Sequence, residues 1–351
     1  MSKLLADIER EPAELAGVLA RVDRDPALGA AAAIVAAARQ VVITGIGSSW
    51  HAGMAVAARC AALGIPATLA DASDLLHFAA LAPGQALIVL SRSGASVEIV
   101  GLVERARVAG TPVVAITNTP TSALARGAQV VIGLGATFDH AISIGMYSAL
   151  AVAGTALIER AAGRWDAARR DAIAAALAEA GRRLPGWSAA IADSPWLARD
   201  ASTYFLARDA SLASASETRL LWEEAAKAPA TALTTGHFRH GPQEIIRRDL
   251  RVALWLDPAR LRRADLDLVA DLRRHEVRVA LIGHALDGAA DLALDVPATP
   301  EGWQFAVDCI PAQLMAERVA RLRGVDCDGF TYCPYVITGE GGLAAAGRAG
   351  A

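Results

Sequence analysis

The 351 residues carry 34 basic and 37 acidic side chains, a net charge of -3, with 54% hydrophobic and 20% charged residues. That balance can fill large cores and excludes a disordered or tail-like chain, while the lack of a concentrated lysine/arginine face excludes a nucleic-acid binder. Length predicts two domains, at about 150 residues each. From the start, 1–39 reads as a helical segment punctuated by Pro12 and Pro26. A short apolar strand, Gln40–Ile43, then runs into Gly45-Ile46-Gly47-Ser48-Ser49, with a helix over His51–Leu63. Further apolar strands are expected at Ala67–Ala70, Ala86–Leu90, Pro112–Ile116 and Val130–Ile132. Continuous apolar strands alternating with helices predict a mostly parallel sheet covered on both faces.

Ala141–Ala161 reads as the closing helix of a first α/β domain over 40–162. Its uncharged run, Ala141–Ile158, only just reaches spanning length and carries Ser143, Ser148, Gly154 and Thr155, so a buried helix is expected and no membrane span. A helical connection comes next, over 163–195. The second domain, 196–328, repeats the alternation with strands at Ser202–Ala207, Ala230–Thr234, Val252–Trp255, Val277–Ile282 and Leu292–Val296. Helices are expected over Ser214–Lys227 and Ile310–Leu322. Two such cycles suggest an internal duplication. A tail over 329–351, with Gly329, Gly339, Gly341, Gly342, Gly347 and Gly350, favours turns and a mobile end. The N-terminus meets charge before any apolar secretory core, so a cytoplasmic protein is expected. Cys60, Cys309, Cys327 and Cys333 form no close pair and no metal-ligand spacing, so neither a metal nor another cofactor is expected.

The loops after the strands carry the chemistry. Gly47, Ser48 and Ser49 sit where a strand meets a helix, and a helix N-terminus offers unpaired N–H groups to an anion. Alone, that pattern equally fits a capped turn. Ser91-Arg92-Ser93-Gly94-Ala95-Ser96 repeats it after the neighbouring strand, and Thr117-Asn118 and Ser122 come after a third. Ligands of doubly wound sheets collect outside the carboxyl ends of the strands, so the expected ligand is a phosphate or phosphosugar. The required Gly-Lys-Ser/Thr of a nucleotide P-loop is missing, and tryptophan stands at the third glycine of a dinucleotide fingerprint.

Acid–base candidates lie in the second half. Glu223 and Glu224 share a helix, and His240 stands in Gly236-His237-Phe238-Arg239-His240-Gly241-Pro242. A glutamate can abstract a proton beside a carbonyl and a histidine can transfer one near neutral pH. Equally, the two glutamates fit a solvated helix face and His240 a turn.

Together, Gly45 to Gly53, Ser91 to Glu98, Ile116-Thr117-Asn118 and His240-Gly241-Pro242 resemble the sugar isomerase (SIS) domain family, and within it the tandem isomerase part of glucosamine-6-phosphate synthase and its deaminase relatives. The resemblance implies two doubly wound, mostly parallel-sheet SIS domains with helices on both faces. It assigns the substrate phosphate to Ser48, Ser49, Ser91, Ser93 and Ser96, beside the turn at Gly47, with Arg92 adding a contact to a phosphate or a sugar acid. The family's sixteen-residue spacing before His-Gly-Pro selects Glu224 as the base and His240 as the ring-opening group. It further implies a homodimer whose partner supplies the histidine.

Four departures accompany that likeness: the glutaminase domain is missing, Leu221 stands where the family carries lysine, Arg92 replaces the middle residue of Ser-Gln-Ser, and the tail is glycine-rich. Without a glutaminase domain, the expected function is a phosphosugar isomerase or deaminase acting on an amino-hexose or hexose 6-phosphate. The alternatives are a phosphosugar sensor without turnover and a fructosamine-phosphate deglycase.

Overall fold

Strands that are apolar on both faces need helices on both faces, and the computed structural model of the chain builds two such sheets of five strands each. It describes residues 1–198, 200–286 and 290–342; the last part of the glycine-rich tail, with Gly347 and Gly350, lies outside the described residues. The chain divides into two units. The first is Glu14–Arg170 with the tail from Gly329, and the second is Met1–Ala13 with Asp171–Asp328. The helical segment over 1–39 therefore serves both units through α1 (Lys3–Arg24). Helix α2 (Pro26–Ala37) starts where the Asp25 carboxylate accepts the Ala27 N–H, with proline at the first helical position.

In the first unit, β1 (Gln40–Gly45), α3 (Ser48–Ala62), β2 (Ala67–Asp71), α4 (Ala72–His77), β3 (Gln85–Leu90), α5 (Val97–Ala109), β4 (Val113–Thr117), α6 (Ala123–Gly127), β5 (Val130–Gly133) and α7 (Gly145–Ala161) succeed one another. The sheet order is β2-β1-β3-β4-β5, and every neighbouring pair is parallel. Every residue of β4 is buried, as the uninterrupted apolar pattern requires. One core joins Val42, Leu87, Val89 and Val113 of the strands to Leu75, Ile99, Leu102 and Leu124 of α4, α5 and α6. Elsewhere in this unit α7 lies close on α3: a Cβ at Gly154 would come within 2.4 Å of Val56 Cγ2.

Helix α7 starts at Gly145 and not at the expected Ala141. The buried Asp139 carboxylate accepts the N–H groups of Ile144, Gly145 and Met146 at 2.9, 3.1 and 3.0 Å, which fixes the first turn after 141–144. No helix among the described residues is long and apolar enough to cross a membrane.

Helix α8 (Ala167–Asp193) leads to β6 (Thr203–Ala207), α9 (Ser211–Glu224), β7 (Thr231–Thr234), α10 (Thr235–Arg239), β8 (Arg251–Trp255), α11 (Arg262–Arg274), β9 (Arg278–Gly283), β10 (Leu292–Asp295) and α12 (Phe305–Arg323). The second sheet is ordered β10-β9-β8-β6-β7, again wholly parallel. Numbered from its own first strand, each sheet reads 2-1-3-4-5. In each the connection reverses between the first and third strands, which opens a crevice at the carboxyl ends of β1 and β3, and of β6 and β8. All four cysteines are free thiols; Cys60, Cys309 and Cys327 are buried and Cys333 is exposed.

Candidate functional site

The first unit's crevice is shaped by backbone geometry before any side chain acts. A Cβ at Gly45 would lie 2.8 Å from the Ser49 carbonyl carbon and 3.0 Å from the Leu90 carbonyl oxygen, so glycine alone lets β1, β3 and the start of α3 meet. Gly47 comes next at φ +58° and ψ -129°, a region other residues avoid, and caps α3. The helix therefore begins at Ser48, three residues ahead of the expected His51. Ser48 and Ser49 are half-buried in its first turn, and their hydroxyls form no hydrogen bond within the described chain. His51 is buried in the same turn, edge-on to Trp50.

The loop after β3 is held from within. Ser91 is buried and its hydroxyl accepts the Gly94 N–H at 3.1 Å, while the Ser93 hydroxyl accepts the Ala95 N–H at 3.3 Å. Gly94 has φ +58°, and a Cβ there would fall 2.2 Å from the Ser122 hydroxyl. The Arg92 carbonyl collects three donors from the next loop: the Thr117 hydroxyl at 3.3 Å, the Thr119 hydroxyl at 3.2 Å and the Asn118 N–H at 3.3 Å. Asn118 is itself pinned by two side-chain bonds of 2.9 Å to the Ala136 backbone. Ser122 caps α6, its hydroxyl accepting the Ala125 N–H. Sequence alone grouped these polar residues as ligand candidates; the geometry makes Thr117, Asn118 and Ser122 the frame that holds the serine loop.

Ser96 stands at the N-cap of α5 but makes no side-chain capping bond, so its hydroxyl stays available. In the first turn of α5, Glu98 has a buried Oε2 without a donor. The first N–H of α5, from Val97, donates at 3.1 Å to the Ile337 carbonyl of the tail. Arg92 reaches the same tail. One Nη donates to the Tyr335 carbonyl at 2.9 Å, the other to the Ala141 carbonyl at 3.4 Å, and the guanidinium lies 3.8 Å from the Tyr335 ring centroid. Both terminal nitrogens thus face backbone oxygens. Further along, Glu340 accepts from the Ser73 hydroxyl at 3.2 Å and pairs with His77 Nε2 at 2.7 Å. The residues of 329–342 are therefore tied to this unit at three places. Their contacts to Arg92, Val97 and His77 join residues more than 200 positions apart in sequence, which composition cannot foresee.

In the second unit, Glu224 is half-buried as the last residue of α9, whereas Glu223 is exposed and pairs with Arg219 at 2.6 Å. Leu221 is fully buried on the same helix. Lys227 adopts φ +52° just beyond the helix end, and its Nζ donates to the Glu224 carbonyl, which fixes that peptide. His240 is exposed after α10, whose first turn is capped by the Thr234 hydroxyl accepting the His237 N–H at 3.0 Å. Gly241 at φ +136° then turns the chain into a short 3-10 helix with Pro242 at its first position. The Gly-Pro pair after His240 is thereby explained by backbone requirements.

Residues 34–158 match the SIS domain family. A glutamine–fructose-6-phosphate aminotransferase (isomerizing) from Pyrobaculum aerophilum is 30% identical over 339 residues, covering 93% of this chain and 55% of its own. The chain thus spans about half the length of that curated relative. Among solved structures, the C-terminal domain of a glucosamine-fructose-6-phosphate aminotransferase from Francisella tularensis superposes with a TM-score of 0.81 at 18% identity, covering 94% of this chain and 98% of that one. Glucosamine-6-phosphate deaminase from Thermotoga maritima gives a TM-score of 0.80 at 17% identity, covering 96% and 100%. These two likenesses are of fold. With the sequence match they identify the architecture: residues 34–158 are a SIS domain, and the chain as a whole shares the fold of those two structures.

Proposed function

We propose that the chain is a phosphosugar isomerase or deaminase acting on an amino-hexose or hexose 6-phosphate. The observation that carries this reading is the set of uncommitted hydroxyls, Ser48, Ser49 and Ser96, at the carboxyl ends of the two strands flanking the first sheet's reversal point. Serine hydroxyls and helix-terminal N–H groups solvate a phosphate without requiring a cation. In this reading Ser93 joins them through its O–H, Gly47 lets the backbone approach, and Ser91 shapes the loop. Arg92 belongs to the substrate loop but carries the tail, and Glu98 offers an acceptor to a sugar hydroxyl.

Glu224 is the proposed base, moving a proton between the first two sugar carbons through an ene-diol or ene-diolamine, and His240 the group that opens the ring. The resemblance that assigns His240 this task also assigns it to a partner subunit, so a homodimer forms part of the proposal. Loss of ammonia from an amino-sugar phosphate and aldose–ketose exchange share the same first proton abstraction. A screen of glucosamine 6-phosphate and fructose 6-phosphate, following ammonia and ketose, tests the assignment. Glu224→Gln should lower kcat by about 10²–10⁴-fold with KM little changed. Saturable phosphosugar binding without turnover by the wild type would replace the enzyme with a sensor. Undiminished turnover by the variant would remove Glu224 from the base role.

A further inference from the structure

Arg92 stands in the serine loop, yet binding a phosphate there does not call for it. Hydroxyls and helix-terminal N–H groups at Ser48, Ser49, Ser93 and Ser96 already suit that group. The guanidinium adds a full positive charge, and no carboxylate pairs with it among the described residues. Its partners are neutral: the Tyr335 carbonyl at 2.9 Å, the Ala141 carbonyl at a long 3.4 Å, and the face of the Tyr335 ring. Acids on the same two segments are engaged elsewhere. Asp139, ahead of Ala141, gathers the N–H groups of Ile144, Gly145 and Met146, and Glu340, beyond Tyr335, pairs with His77.

These contacts leave donors over. One N–H of each Nη faces a carbonyl; Nε and the second N–H of each Nη make no hydrogen bond within the described chain. Arg92 is half-buried, and its Nε is open to solvent. The free edge, Nε with an adjacent Nη, has the fork spacing that matches the two oxygens of a carboxylate. The long stem carries this charge off the loop, to the tail and to the segment before α7, which hold none of the proposed phosphate ligands. A half-buried cation whose partners are all neutral is stabilised by an arriving anion, and the serines already serve the phosphate.

We propose that Arg92 recognises a second anionic group on the substrate, a carboxylate at the end of the sugar remote from its phosphate. The substrate class is then a hexose 6-phosphate bearing a carboxylate at or beside its first carbon. This rests on the phosphosugar reading above and narrows it.

Calorimetric titration of the full chain with 6-phosphogluconate and sorbitol 6-phosphate at low ionic strength tests it, since these open chains differ only at the first carbon. The carboxylate of 6-phosphogluconate should tighten binding about 10–100-fold, the range of a charge-assisted pair. Arg92→Gln should bring the two Kd values together, and Arg92→Lys, which keeps the charge without the fork, should lose most of the difference. Tyr335→Ala leaves the guanidinium in place and should retain the preference, which separates Arg92 from the tail it holds. Equal Kd values in the wild type overturn the proposal and leave the phosphosugar reading intact. A preference that survives in Arg92→Gln overturns it likewise, because Arg92 then reads the phosphate or nothing at all. If neither compound binds, the phosphosugar reading itself falls and this proposal with it.

Discussion

The two sheets share one strand order yet present opposite chemistry at their carboxyl ends. The first offers Ser48, Ser49 and Ser96 hydroxyls around glycine turns, and the second buries the Asp308 carboxylate beside a 90 Å³ cavity lined from the ends of β8, β9 and β10. Topology decides where the crevice lies, because only where adjacent connections leave in opposite directions do the strand ends stand open. Side chains decide what enters. The first crevice depends on backbone reach, through Gly45 against Ser49, Gly47 at φ +58° and Gly94 against Ser122. The second depends on burial of charge. Substitutions that attack backbone should therefore damage the first crevice most, and substitutions that alter charge the second.

The largest effect is expected from Gly94→Val. A β-branched residue at φ +58° is strained, and its Cβ would stand 2.2 Å from the Ser122 hydroxyl and 2.7 Å from the Ser122 Cβ. Ser122 is buried and caps α6, so it has little freedom to yield. A loss of roughly 4 kcal/mol in stability is expected, combining αL strain with overpacking. Phosphosugar affinity should fall with it. Gly283→Ala, at the end of β9, is the contrasting change: its backbone is ordinary and the nearest atom is Leu256 Cβ at 3.0 Å. Chemical denaturation of both variants reads the contrast. Equal losses would show that the first crevice is no more dependent on backbone geometry than the second.

Much of this architecture is legible in sequence, for a physical reason. Strands buried on both faces must be continuous apolar runs, so Ala86–Leu90 and Val252–Trp255 announce themselves and the structure places β3 and β8 within a residue of them. Gly45, Gly47 and the paired serines are legible as a tight strand-to-helix turn, since glycine and hydroxyls directly after such a strand suit a close backbone approach and a helix start. Helix starts are less so. The 141–144 stretch looks as helical as the residues from Gly145 onward, and only the carboxylate of Asp139 gathering three N–H groups marks Gly145 as the first residue of α7. Long-range partners are not legible at all. Nothing in Thr331-Tyr332-Cys333-Pro334-Tyr335 signals that its second tyrosine will lie on Arg92. Asp308 had a signal, a lone acid within the apolar run Phe305–Ile310, but an isolated buried acid has no motif to separate it from a solvated one.

The charge argument in the second crevice yields a pH dependence of intermediate size. Burial pushes the Asp308 carboxyl up to about 6 from an ordinary 3.8, against the opposing pull of the Ser211 and Ser214 hydroxyls. A folded-state value above the unfolded one means that the folded protein binds the proton more tightly. Ionisation of Asp308 thus destabilises the fold fully above pH 6, and the penalty disappears as the pH falls towards 4. At most it is worth roughly 3 kcal/mol. Asp308→Asn removes the titration. In sodium buffers, the stability of the variant relative to wild type should be more favourable at pH 8 than at pH 5, read from urea midpoints. Parallel pH profiles would show that the carboxylate is adequately solvated inside the cavity.

The smallest effect tests what the tail does to the first crevice. Tyr335→Ala removes the ring beside the Arg92 guanidinium but leaves the backbone carbonyl to which Arg92 donates. A cation–π contact at a partly exposed site is worth about 0.5–1 kcal/mol, so the tail should loosen without detaching, and limited proteolysis within 329–342 should speed up several-fold. The direction of the accompanying change in KM carries the information. The Ile337 carbonyl takes the Val97 N–H, the first donor of α5 and the neighbour of the uncommitted Ser96 hydroxyl. A phosphate drawn to that helix end competes with the carbonyl for the same donor, so a looser tail should lower KM for the sugar phosphate by about 2–5-fold. A rise of the same size would instead mean that the tail closes over bound sugar and that Tyr335 helps to retain it. Because the backbone bonds of the tail to Arg92 and Val97 are kept, the sign of the shift separates a tail that competes with the substrate from one that encloses it.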